Sequence, residues 1–169
     1  MVRWAALAAA ALVGLTGCVS ATEGPTGSAA GAIDRPAGPQ HEACVLFEAA
    51  DLRRVLGQQF EQPINTADST QVLAECQWTA SSQTALVMAK VSQGDGPFLF
   101  RESATAASRS LGKVELVTVP KADKAYSVRS LGRVGMLVGD SYVEVSTLVP
   151  GAGDAEIMKL ARMAATAAS

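Results

Sequence analysis

Aromatic side chains are scarce in this 169-residue chain, at 5% of residues, and His41 is its only histidine. So few aromatics leave little material for the stacking platforms that bind single-stranded nucleic acid. An excess of one charge is missing too, with 14 Lys and Arg against 16 Asp and Glu and a net charge of −2. Without clustered cations to replace phosphate counterions, nucleic acid is not expected as a partner. The longest apolar run falls short of the roughly 20 residues that a membrane span requires. At 49% hydrophobic and 18% charged, the chain can still build a core, and its length fits one domain at most.

Familiar chemistry is equally thin. His41 lies at the end of a loose, polar stretch, where holding a catalytic imidazole in place is hard. No serine sits in a Gly-x-Ser-x-Gly turn, and no Gly-rich phosphate loop ends in Lys. Gly94-Asp95-Gly96 is too short for a calcium loop and reads as a turn with Pro97. Acidic residues are dispersed, and Glu75, Glu102, Glu115 and Glu144 fall largely on expected solvent faces. No cofactor, metal site or catalytic residue is therefore expected.

What is present begins at the N-terminus. Arg3 precedes an unbroken apolar run from Ala5 to Val13, followed by Leu15-Thr16-Gly17-Cys18. A basic start, a short apolar stretch and small residues before a break form a secretory signal rather than a span. Leu15-Thr16-Gly17-Cys18 resembles the bacterial lipobox, in which the Cys thiol receives a diacylglycerol and the chain is cut just before it. Residues 1–17 are thus expected as a lipoprotein signal peptide and Cys18 as the lipidation site. An ordinary secretory signal with an incidental cysteine is the alternative. Each buried acyl methylene stabilises membrane attachment by about 0.8 kcal/mol, so the mature protein would be anchored rather than spanning. Removing residues 1–17 deletes Arg3 alone, leaving 13 basic against 16 acidic residues.

Residues 18–40 hold the lipidated Cys and then a Gly, Ser, Thr, Ala and Pro-rich tether with no hydrophobic period. Such composition cannot offset its ordering entropy and is expected to be disordered. Residues 41–169 are expected to form a single α+β domain. Val45, Ala49, Leu52 and Leu56 share one helical face, and Gly57 supplies a stop. Val72–Thr79 and Ala85–Ser92 alternate on either side of a polar turn, the pattern of a hairpin. Phe98–Leu111 reads as a weaker helix ending at Gly112. Val114–Val119, Ala125–Arg129, Arg133–Val138 and Ser141–Val149 are strand-like, with a tight Gly139-Asp140 turn between the last two. Asp154 is placed to cap a final helix striped with Ile157, Ala161, Ala164 and Ala168. The expected order is α-ββ-α-ββββ-α, an antiparallel sheet of about five or six strands with helices packed on a face.

With Cys18 lipidated, Cys44 and Cys76 remain as an even pair in an exported protein. An oxidising compartment favours a disulfide between them. Two unpaired buried thiols or a metal pair are the alternatives, though no further Cys or ordered His lies near enough to complete a zinc set. Trp78 is expected as a core residue against that bridge, a binding-site Trp being the other reading.

The segments Cys44-Val45-Leu46-Phe47, Asp51 to Gly57, and Cys76-Gln77-Trp78 together resemble a family of small actinobacterial lipoproteins of unknown function. The shared pattern is a Cys, an amphipathic helix ending in Leu-Gly, and Cys-x-Trp on the following strand. It covers the first half of the mature domain. The resemblance implies a Cys44–Cys76 disulfide, a sheet-and-helix domain and an envelope location, and supplies no catalytic residues. Arg outnumbering Lys, with heavy Ala and Gly use, suits a GC-rich actinobacterial genome. In a Gram-negative envelope, Val19 after the lipidated Cys would direct the protein to the outer membrane.

The function expected is that of a non-catalytic binding or accessory module, lipid-anchored to the cell membrane and facing away from the cytoplasm. Its partners would be the membrane itself and an envelope protein or a small apolar ligand, met through a sheet–helix cleft or a surface patch. An envelope hydrolase using dispersed carboxylates is the alternative from another class. A structural subunit of a transporter or cell-wall complex is a third. Converging carboxylates in a pocket would favour the enzyme, and an apolar cleft would favour ligand binding.

Overall fold

Alternation along the strands and small-residue stripes along the helices together dictate a layered structure. In the computed structural model the described residues are 43–66, 73–92, 94–110 and 113–169, all within the unit Arg35–Ser169. The expected signal peptide, the lipidation site Cys18, the tether and His41 lie outside the described residues. The elements are α1 (Ala49–Leu56), β1 (Ile64–Asn65), β2 (Ala74–Thr79), β3 (Leu86–Ser92), α2 (Gly96–Ser110), β4 (Glu115–Val117), β5 (Lys124–Val128), β6 (Arg133–Val138), β7 (Ser141–Leu148) and α3 (Asp154–Ala167). Short 3-10 turns occupy Ala43–Val45 and Arg129–Leu131.

The fold is α+β, built on one antiparallel sheet in the order β1-β2-β3-β7-β6-β5-β4. Seven strands replace the expected five or six. The addition is β1, whose two residues pair with β2 through Ile64–Gln77 and Asn65–Cys76. Two residues are too few to show a period, so this strand has no sequence signature. The two hairpins, β2–β3 and β6–β7, form where the alternation places them. Gly139 adopts φ 55°, which lets the two-residue turn follow the strand twist.

Helices lie on both faces of the sheet, not on one. On the first face, Cys76, Trp78, Val87, Ala89, Val134, Met136, Val143 and Val145 form a core with Leu52 of α1 and Ile157, Leu160, Ala161, Ala164 and Ala165 of α3. Alternate residues of the same strands point the opposite way. There, Tyr126, Val128 and Tyr142 pack with Ala107 of α2, joined by Leu99, Phe100 and Ala104. This double cover explains why β6 is buried almost end to end, a pattern more usual in parallel sheets.

Three local expectations are corrected. Val45 belongs to the first 3-10 turn and is 72% exposed, so it is no part of the buried face of α1. Gly96 and Pro97 open α2 rather than completing a turn before it. Asp154 is the first residue of α3, whose N-cap is Gly153, and the Glu156 carboxylate accepts the Gly153 backbone N–H at 3.0 Å. Reaching back from the third helical position, Glu156 takes the capping role assigned to Asp154.

Cys44 and Cys76 are disulfide-bonded, with Cα atoms 5.1 Å apart. The bridge ties the first 3-10 turn to β2. Beside it on the same face, Trp78 is fully buried and meets Phe47 edge-on, with ring centroids 5.4 Å apart. That makes Trp78 a core residue.

Candidate functional site

The position of α2 on the second face decides what that face can do. Its first residue has no room for a side chain, because a Cβ at Gly96 would collide with the Asp140 carbonyl. The Gly96 N–H donates to that same carbonyl at 3.1 Å, fixing the start of α2 to the β6–β7 turn. A second glycine shapes the sheet below. Gly135 stands opposite Tyr126 in the β5–β6 register, and a Cβ there would enter the Tyr126 ring. An aromatic ring laid over a cross-strand glycine fills the gap that the missing side chain leaves.

Beneath α2 runs a buried polar chain. The Tyr126 and Tyr142 hydroxyls are 2.9 Å apart, and Tyr142 donates to Glu144 Oε2 at 2.7 Å. Because the Tyr142 proton goes to the carboxylate, Tyr126 is the donor between the two phenols. Ser103 of α2 lies beside both phenols. Burial pushes both hydroxyls above the ordinary value of 10.0, and the Glu144 charge adds to the shift. Neither phenol is an acid or a base near neutral pH. At the other end, Arg133 Nε lies 3.6 Å from Glu144 Oε1, a charge contact without a hydrogen bond.

The four glutamates therefore part company. Glu102 is exposed on α2. Glu115 is partly exposed on β4, bound by Lys113 at 2.9 Å and Arg129 at 3.0 Å. Glu75 accepts from Lys90 at 2.7 Å and from Thr66 at 2.8 Å. Burial alone would raise its pKa, but those hydrogen bonds and the Lys90 charge outweigh it and hold the carboxyl below its usual value. Glu144 was expected on a solvent face and is buried, at 6% exposure. Its strand alternates Tyr142, Glu144 and Ser146 as a solvated face would, but α2 and the flanking strands cover that side. A glutamate acting as a general acid needs a raised pKa, and Glu75 has the reverse.

One short motif escaped the sequence reading. Ser110 and Lys113 stand at Ser-x-x-Lys spacing. Ser110 ends α2, and Lys113 is exposed with its ammonium on Glu115. An ion-paired surface ammonium is not the desolvated amine that base catalysis by lysine requires. Among the described residues, no group of three or more His, Cys, Asp or Glu side chains gathers where a metal could bind. No described helix is long and apolar enough to cross a membrane.

The second face also carries a cleft of about 640 Å³ between α2 and the strands β5 and β6. Phe100, Ala104, Val114 and Leu137 give it an apolar floor. Arg101, Arg109 and Lys124 stand in its wall, and no carboxylate does. The clefts beside α1 and at the start of α3 differ, having Glu48, Asp51 or Asp154 in their walls. Sequence reasoning missed this site because its residues come from four separate segments. Arg101, Thr105, Ser108 and Arg109 do recur at helical spacing, and that stripe was the one readable signal.

No family model matches the chain, and no curated protein matches it. Among solved structures, a GTP-binding regulator from Thermotoga maritima is 12% identical, covering 71% of this chain and 89% of its own, with a TM-score of 0.38. A likeness that loose carries no argument about fold or function.

Proposed function

We infer that the chain is an exported lipoprotein, anchored through Cys18 and kin to the small actinobacterial lipoproteins it resembles. Its domain works by binding in the α2 cleft rather than by catalysis. The observation that carries this reading is the cleft itself: an apolar floor of ligand-sized volume, away from the carboxylates. The hydrogen bonds that occupy Glu75 and Glu144 support it further. The anchor would keep the domain close to membrane-bound partners and raise their effective concentration.

The test is complementation of an envelope phenotype in a strain lacking the gene. Thr105→Trp, which fills the cleft from its helical wall, should abolish complementation while the disulfide and thermal stability persist. Glu102→Ala and Glu115→Ala should complement normally. Full complementation by a folded Thr105→Trp variant would remove the cleft from the function. A measurable turnover lost with a single carboxylate would put the hydrolase in its place.

A further inference from the structure

The cations around the α2 cleft differ from five others in the domain. Arg54, Lys90, Lys113, Arg129 and Arg133 each face a carboxylate. Arg109 and Lys124 form no ion pair among the described residues, and Arg101 lies over the Phe98 ring at 5.8 Å. Three cations thus edge an apolar recess with no acid in its wall. Arg109 follows Arg101 by eight positions, so they stand about 12 Å apart along the helix axis. The recess is therefore elongated, with a positive charge toward each end of its helical wall. Lys124 adds a third from the sheet side, as the cross-strand partner of Leu137 in the floor.

A neutral apolar ligand would use the floor and leave the cations idle. A small inorganic anion would use the cations and leave the floor wet. A ligand with both an apolar body and an anionic head uses both. We propose that the α2 cleft binds a free single-chain amphiphile with a carboxylate or phosphate head. Its chain lies on Phe100, Ala104 and Leu137, and its head meets the rim of Arg101, Arg109 and Lys124. This rests on the cleft being the functional site and names its ligand class. A recess of this size, set between a helix and a sheet, suits one chain and not the plane of a bilayer.

The experiment uses the full chain carrying Cys18→Ser, so that no covalently attached acyl chain competes. Decanoate is titrated while the methyl signals of Ala104, Val114 and Leu137 are followed by NMR. Decanol, acetate and inorganic phosphate are titrated in parallel, with decyl phosphate as the second head group. Decanoate or decyl phosphate should shift those methyls with an affinity at least ten-fold above that of decanol, acetate or phosphate. Replacing all three cations, as Arg101→Gln, Arg109→Gln and Lys124→Gln, should weaken binding by roughly ten-fold or more, the scale of charged hydrogen bonds. These are exposed positions, so the fold should persist. Decanol binding as well as decanoate, or a triple variant within two-fold of the parent, would overturn the proposal. So would cation-dependent binding to anionic phosphatidylglycerol vesicles with no methyl shift from decanoate, which would make the face a membrane-docking surface. Failure here together with loss of complementation by Thr105→Trp would reject the ligand class and leave the cleft as the site.

Discussion

Tyr142 ties the polar groups of the second face together, because its one hydroxyl serves both Tyr126 and Glu144. Tyr142→Phe removes it, leaving a buried Glu144 oxygen without its donor and only Ser103 beside the Tyr126 hydroxyl. Such orphaned groups cost about 1–3 kcal/mol each. Urea unfolding should show a midpoint lowered accordingly, with the slope unchanged. Gly135→Ala tests the opposite fault, since its new methyl would drive into the Tyr126 ring. Overpacking of this kind costs typically 1–3 kcal/mol, read as a fall in thermal midpoint. Neither role was legible in the sequence. Gly135 reads as an ordinary strand residue until its register partner is known, and Glu144 reads as solvated until α2 is laid over it. The burial of Cys76 and Trp78 was legible, because β2 alternates cleanly and its second face stays partly open.

At the level of elements, the disulfide and the helix caps decide how firmly the periphery is held. Cys44 and Cys76 are 32 residues apart in sequence. On the chain-entropy estimate, closing such a loop stabilises the fold by about 3–4 kcal/mol. The double variant Cys44→Ala/Cys76→Ala should unfold at correspondingly lower denaturant, and reductant should bring the parent to the same midpoint. α1, α3 and the two hairpins were readable from Leu-Gly at a helix end, from an Ala stripe and from polar turns between alternating runs. The strand β1 was not, since two residues carry no period. The placement of helices on both faces was also hidden. It depends on which strands neighbour each other, and no local pattern records that β3 lies beside β7.

Across the whole molecule, several carboxylates share one dependence on acid. Glu156 is held below its ordinary value of 4.5 by the Gly153 backbone N–H. Glu115 is held there by the Lys113 hydrogen bond and by the charges of Arg129 and Lys113. Glu75 joins them through Lys90 and Thr66, against the opposing pull of burial. A carboxyl whose pKa is lowered by folding contributes its full stability above the unfolded value and loses it as the pH falls through the folded one. Stability should therefore be level near neutrality and decline below pH 4.5. The Glu75→Gln variant should be less stable at neutral pH and show a shallower decline in acid, followed by urea midpoints across the range. The proposed anchor is tested at the same scale. Mass spectrometry of the mature protein should find acyl chains on Cys18 as the first residue, and Cys18→Ser should prevent both cleavage there and acylation. An unmodified N-terminus elsewhere would end the lipoprotein reading.

The bridge between Cys44 and Cys76 also settles how the domain bears a mechanical load. A pull on the chain ahead of Cys44 crosses the sulfur atoms straight into β2, which is flanked by β1 and β3. Everything between the two cysteines, α1 and β1 included, lies in a covalent loop and carries no tension. Stretched from its two ends, the oxidised protein should lengthen by a contour that omits that loop. Adding reductant should restore the missing length and let α1 peel first, turning a domain loaded through its sheet into one that unravels from its edge.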